Sequence, residues 1–69
     1  MSELTELLAA DLGGEWLEDG SGAVCDGVKI TYFTDGYRAE RGGVWAVAES
    51  PQLVMFALYR NEFRAGRNQ

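Results

Sequence analysis

The sequence predicts a small α+β domain with a helix at each end and an antiparallel sheet between them. Three observations support this prediction. An amphipathic leucine pattern opens the chain, four Asp-Gly or Gly-Gly turn signals follow, and a Ser-Pro pair precedes an apolar segment near the end. A chain of 69 residues has room for one small core. We therefore expect a single domain over residues 1–69.

The first helix is predicted over residues 2–12. Ser2 is a suitable N-cap, and Glu3 and Glu6 complement the positive end of the helix dipole. Gly13-Gly14 is expected to end the helix, because glycine readily adopts the backbone conformation of a C-terminal cap. The apolar residues that share one arc of this helix are Leu4, Leu7, Leu8 and Leu12. This arc should pack against the sheet.

An antiparallel meander of three to five strands is predicted next. The turn signals are Asp19-Gly20, Asp26-Gly27, Asp35-Gly36 and Gly42-Gly43, which supply the positive φ angles that two-residue hairpin turns require. Segments rich in β-branched and aromatic residues lie between them, at 28–34, 37–41 and 44–48, preceded by one or two further strands at 15–18 and 23–25. Turns at 35–36 and 42–43 would place Tyr32 opposite Ala39, and Ala39 opposite Ala46.

The second helix is predicted over residues 51–64. Ser50 is a suitable N-cap, and Pro51 fits the first helical position, where its missing N–H costs nothing. The apolar run 53–59 is also compatible with a buried strand. We expect a helix, because Leu, Met and Ala favour helices and the segment is long for a strand. Residues 65–69 have no apolar anchor and are expected to form a flexible tail.

The predicted register gives the sheet two different faces. The face expected to carry both helices contains Val28, Ile30, Tyr32, Tyr37, Ala39, Val44, Ala46 and Ala48. The other face contains Lys29, Thr31, Phe33, Arg38, Glu40, Trp45 and Val47. Its apolar residues fit either ordinary cross-strand packing or a binding surface. Phe33, Arg38, Trp45 and Val47 are therefore an alternative site for a protein partner.

Charge is distributed unevenly along the chain. Seven of the 11 acids lie in the first 27 residues, whereas all six Lys and Arg residues come after position 28. A region of this kind can steer a positively charged partner, although surplus carboxylates can also serve solubility alone. The candidate partner-binding residues are Glu3, Glu6, Glu15, Trp16, Glu18 and Asp19. Trp16 is either an apolar anchor among these acids or a core residue, and base rates favour the core.

The sequence offers no set of residues that is typical of a catalytic site or a cofactor site. The chain has no histidine and one cysteine, Cys25, beside a carboxylate that disfavours its thiolate. We therefore expect a non-enzymatic protein without metal or cofactor. Its net charge of −5 argues against direct binding to nucleic acid or membranes. The acidic N-terminus lacks the features of a signal peptide, so a cytoplasmic location is expected.

The cluster Glu15-Trp16-Leu17-Glu18-Asp19, in a short, acidic, cysteine-poor α/β chain, resembles the small anti-CRISPR proteins that bacteriophages encode. The resemblance implies an inhibitor in the host cell cytoplasm. It would act as a DNA mimic, occupying the basic groove of a larger protein such as a CRISPR effector subunit. The alternative is a small structural or assembly module that binds through the open sheet face.

Overall fold

A computed structural model describes the backbone of residues 2–67 and the side chains of residues 2–66. Helix α1 covers Glu3–Leu12, and helix α2 covers Pro51–Arg67. The strands between them are β1 (Leu17–Asp19), β2 (Gly22–Cys25), β3 (Val28–Phe33), β4 (Gly36–Arg41) and β5 (Val44–Ala48). They form one antiparallel sheet in the order β1-β2-β3-β4-β5. The predicted helix–meander–helix layout is confirmed.

Helix α1 begins at a reciprocal cap. The backbone N–H of Thr5 donates to Ser2 Oγ at 3.1 Å, and the backbone N–H of Ser2 donates to Thr5 Oγ1 at 3.1 Å. Gly13, with a φ of 74°, ends the helix, and its N–H donates to the carbonyl of Ala9 at 3.0 Å. These bonds satisfy backbone groups that a helix end otherwise leaves without partners.

One of the two predicted registers is confirmed and the other is wrong by two residues. Ala39 lies opposite Ala46, as expected from a turn at Gly42-Gly43. Tyr32, however, lies opposite Tyr37 rather than Ala39, because the turn residues are Thr34 and Asp35. A shift of two residues leaves every side chain on its predicted face, since side chains alternate with period two.

The core lies between one sheet face and the two helices. Helix α1 packs on β2 and α2, whereas α2 packs on β4 and β5. The buried apolar residues are Leu8, Trp16, Ala23, Val28, Ile30, Ala39, Ala46, Val54 and Leu58. Three of these are alanines of the sheet, whose small side chains let the helices approach the sheet closely. The prediction that both helices cover the same sheet face is confirmed.

Two details of the predicted layers differ in the structure. Tyr32 lies on the predicted face but is 56% exposed, and its ring packs against that of Tyr37 with centroids 5.0 Å apart. Helix α2 continues beyond residue 64 to Arg67, so residues 65–67 are helical rather than loose. Ala and Arg are good helix formers, and a cation near the C-terminus complements the dipole. Residues 68–69 of the predicted tail lie outside the described residues.

Candidate binding surfaces

Four carboxylates of the N-terminal third lie exposed on the helix-bearing side of the molecule. Glu3 and Glu6 occupy the first turn of α1, and Glu6 and Glu15 border the same shallow hollow of about 370 Å³. Glu18 lies on β1 opposite Ala23, whose side chain faces the helices. We call these four residues the acidic region. Among the described residues, none of the four forms an ion pair.

Asp19 is separated from the acidic region by the alternation of β1. It lies opposite Gly22, with its side chain on the sheet face that carries no helix. There the Asp19 carboxylate lies 3.9 Å from Lys29 Nζ. Both side chains are well exposed, so this pair contributes little stability but does offset one of the predicted negative charges.

Trp16 is a core residue rather than an exposed anchor. It is 8% exposed, and its indole Nε1–H donates to the carbonyl of Gly13 at 2.9 Å. Gly13 and Gly14 have φ angles of 74° and 87°, which reverse the chain after α1 and bring the indole back over the sheet. This burial agrees with the core role that base rates favoured for Trp16, and it leaves little of the indole surface for contact with a partner.

The sheet face without helices presents large apolar side chains to solvent. Phe33 is 50% exposed, Trp45 is 53% exposed and Val47 is 60% exposed. The Arg38 guanidinium lies over the indole of Trp45, 5.3 Å from the ring centroid. Leu17 of β1, which is 62% exposed, lies on the same face. It pairs with Val24, which in turn pairs with Lys29, and Lys29 belongs to the face without helices. We call Leu17, Phe33, Arg38, Trp45 and Val47 the open sheet face.

A hollow of about 340 Å³ lies at one end of the open sheet face. Phe33 and Val47 form its apolar walls, and Asp35 and Glu49 border it. Gly36 also lines the hollow. A Cβ at this position would come within 2.6 Å of the Ala48 carbonyl oxygen, so a larger residue does not fit without a shift of the backbone. The hollow has room for a protruding side chain of another molecule, with carboxylates at its rim.

Helix α2 carries a second exposed apolar surface that the sequence did not reveal. Leu53, Phe56, Tyr59 and Phe63 are 57%, 69%, 55% and 65% exposed. We call these residues the α2 stripe. The run 53–59 is apolar without interruption apart from the tyrosine hydroxyl, but the sheet covers only the side that contains Val54 and Leu58. The spacing of Leu53, Phe56 and Phe63 along one helix face was the available signal.

A groove of about 570 Å³ separates α2 from the end of α1 and the β2–β3 turn. Its apolar lining includes Leu12, Trp16, Val28, Met55 and Phe56, and its polar lining includes Asp11, Asp26, Arg41 and Gln52. Two of the five N–H donors of Arg41 are engaged by Glu62, because Nε and Nη2 each donate to one of its carboxylate oxygens at 2.8 Å. The groove therefore offers an apolar lining with polar groups at several points.

The titratable groups with altered pKa values have structural explanations. The hydrogen bonds between Arg41 and Glu62 raise the pKa of the guanidinium and lower that of the carboxyl. Burial raises the pKa of Tyr37, and the nearby Tyr32 and Asp11 add to the effect.

Within residues 2–67, no group of three or more Cys, Asp or Glu side chains is arranged to hold a metal ion. No described helix is both long enough and apolar enough to span a bilayer. Comparison with protein-family models, curated proteins and solved structures gives no match to this chain.

Proposed function

We propose that this chain is a non-enzymatic protein-binding domain that uses the open sheet face as its contact surface. The observation that supports this is the exposure of Phe33, Trp45 and Val47, each at half or more, on a face where Phe33 and Val47 also line a preformed hollow. Monomeric proteins seldom leave a contiguous apolar surface of this kind without a partner. Aromatic residues and arginine are also the types enriched where binding energy concentrates.

The charges around the open sheet face indicate the chemistry of its partner. Asp35 and Glu49 border the hollow, and Glu40 lies opposite Trp45. A partner that inserts an apolar side chain between Phe33 and Val47, and carries Lys or Arg around it, would meet complementary charge. The acidic region on the other side adds a long-range field that attracts such a basic partner and accelerates encounter.

A second candidate function rests on the acidic region itself. Glu3, Glu6, Glu15 and Glu18 are exposed without a cationic partner among the described residues, so they are available to a Lys/Arg surface. In this proposal the protein mimics DNA, occludes a nucleic-acid-binding groove and inhibits a larger protein, as anti-CRISPR proteins do. The proposed target is a CRISPR effector subunit in the cytoplasm of a host cell. Burial of Trp16 makes this candidate the weaker one, since the site lacks an apolar centre.

One capture experiment with two matched variants distinguishes the candidates. Tagged wild-type protein, Trp45→Ala, and Glu6→Lys combined with Glu15→Lys would be incubated with a lysate, and bound proteins identified by mass spectrometry. Binding through the open sheet face predicts a protein that Trp45→Ala loses and the lysine variant retains with slower association. Mimicry predicts the reverse. A protein retained equally by both variants would contradict both proposals.

A further inference from the structure

We propose that the α2 stripe is a self-association surface, on which α2 of a second copy of this chain packs antiparallel about a twofold axis. This inference is independent of the proposed function, because the α2 stripe and the open sheet face lie on opposite layers of the molecule. It concerns a helix that is apolar on two opposite sides. One side is occupied by the core, and the other is largely exposed to solvent.

The geometry of α2 separates these two sides clearly. At 100° per residue, Phe56 and Phe63 lie about 180° around the helix from the buried Val54 and Leu58. The α2 stripe extends from Leu53 to Phe63 along the helix, roughly 15 Å at 1.5 Å per residue. A stripe of this length and width fits the contact face of a second helix.

The order of residues along the α2 stripe is self-complementary. In an antiparallel pair with the twofold axis at the level of Leu58, Leu53 of one copy lies beside Phe63 of the other. The same operation places Phe56 beside Arg60 of the other copy, where the guanidinium can lie over the ring. A parallel arrangement would instead bring Arg60 of one copy beside Arg60 of the other, with repulsion between like charges.

The charges at the two ends of the α2 stripe also favour the antiparallel arrangement. Arg60 and Arg64 are exposed toward the C-terminal end of α2, and Glu62 is already bound to Arg41. At the N-terminal end, Gln52 Nε2 donates to the backbone carbonyl of Asp11 at 3.4 Å, so the exposed Asp11 carboxylate lies near this end. Antiparallel pairing places Arg64 of each copy at the same end of the pair as Asp11 of the other, on the opposite flank of the α2 stripe, and it aligns the helix dipoles favourably.

The exposed area is sufficient for a weak but specific dimer. The four side chains, each more than half exposed, together offer about 500 Å² per copy, hence about 1,000 Å² in a symmetric pair. That is near the lower limit for a biological interface, so we expect weak association that becomes visible only at micromolar or higher concentrations. A membrane is a poorer occupant, because a chain with a net charge of −5 is repelled by anionic lipid.

Sedimentation equilibrium over a concentration series tests the association. Wild-type protein should change from the 7.6 kDa of one chain toward twice that mass as concentration rises from about 5 to 500 μM. Phe56→Asp should raise the dissociation constant at least about tenfold. Trp45→Asp is the matched control, because Trp45 is also an exposed aromatic residue but lies on the other layer. This substitution should leave association unchanged. Circular dichroism should be recorded for each variant, so that a loss of association is not confused with a loss of folding. A wild-type monomer at every concentration, or a dimer lost only in Trp45→Asp, overturns the proposal.

Disulfide trapping tests the antiparallel direction. In a Cys25→Ala background, the double variant Leu53→Cys/Phe63→Cys should give a covalent dimer on mild oxidation, because positions 53 and 63 of opposite copies become neighbours. The two cysteines of one chain are roughly 15 Å apart along the helix and cannot bridge each other. Each single-cysteine variant should remain largely uncrosslinked. A covalent dimer formed as efficiently by Leu53→Cys alone indicates a parallel pair and contradicts the proposed arrangement.

Discussion

Arg41 and Glu62 connect the sheet to α2 through two hydrogen bonds of 2.8 Å, which join the last residue of β4 to a residue 21 positions later in the chain. The Arg41 guanidinium also lies over the ring of Tyr59, 5.9 Å from its centroid. Alternation along β4 places Arg41 on the same face as the buried Ala39, under the helix. The pair thus helps to fix the rotation of α2 about its own axis. That rotation decides which apolar side of the helix packs on the sheet and which is exposed to solvent.

Glu62→Gln should lower the free energy of unfolding by about 1 kcal/mol at pH 7, a value kept small because the side chains are 35% and 27% exposed. The pKa of Glu62 is lowered in the folded state. Its stabilisation is therefore fully present above the carboxyl pKa of the unfolded chain, 4.5, and is lost as the pH falls through the lower folded value. The difference between wild type and variant in urea titrations should thus shrink below pH 4.5. Glu40→Gln, at an exposed position, is the control and should change the free energy of unfolding at pH 7 by less than about 0.5 kcal/mol.

Trp16→Phe should destabilise the fold by about 1–2 kcal/mol, because it removes the bond from the indole Nε1–H to the Gly13 carbonyl and leaves that buried region less well packed. Trp45→Phe provides the matched control, since Trp45 is 53% exposed and should change stability by less than about 0.5 kcal/mol. Urea denaturation followed by circular dichroism measures both. Equal effects of the two substitutions would contradict the assignment of Trp16 to the core.

The fold and the open sheet face followed from local signals, whereas the α2 stripe did not. Ser2, Gly13 and Ser50-Pro51 act within a few residues of their own position, so they identify helix ends without knowledge of the tertiary structure. The β3–β4 register was wrong because the Asp35-Gly36 signal fits a turn at either of two positions. Gly36 serves as a strand residue, where its missing Cβ allows a close approach to Ala48.

Which apolar residues of a helix are exposed depends on the rotation of the helix about its axis. This rotation is set by tertiary packing and cannot be read directly from the sequence. The run 53–59 is apolar on all sides, so its exposed stripe becomes visible only once Val54 and Leu58 are seen to face the sheet. Trp16 shows the opposite case. It lies between acids in sequence, yet two glycines with positive φ return it to the core. The open sheet face was predictable because side chains of a strand alternate between the two faces of the sheet. A register shift of two residues therefore leaves each side chain on the same face.

Gly36→Ala should destabilise the protein by about 1–3 kcal/mol, because the added Cβ would come within 2.6 Å of the Ala48 carbonyl oxygen and the backbone must shift. Gly66→Ala is the informative comparison. Gly66 lies in α2. Apart from its chain neighbours and the backbone of the helix itself, no atom of the described residues lies within 4 Å of the position that an added methyl group would take, so alanine there should stabilise the helix by up to about 1 kcal/mol. Thermal unfolding should therefore shift in opposite directions. A neutral Gly36→Ala variant would show that β4 and β5 are not packed as described.

Reciprocal tryptophan variants test the two layers of the fold in one measurement. Trp45→Phe leaves Trp16 as the single indole, and its 8% exposure predicts blue-shifted emission and weak quenching by acrylamide. Trp16→Phe leaves Trp45, which is 53% exposed beside Arg38, and predicts emission at longer wavelength with several-fold stronger quenching. Because each variant is the control for the other, differences in expression or buffer cancel.

If Trp45 were covered in solution by a copy bound to the open sheet face, its quenching would fall as protein concentration rises. The proposed pairing through α2 predicts that it stays constant.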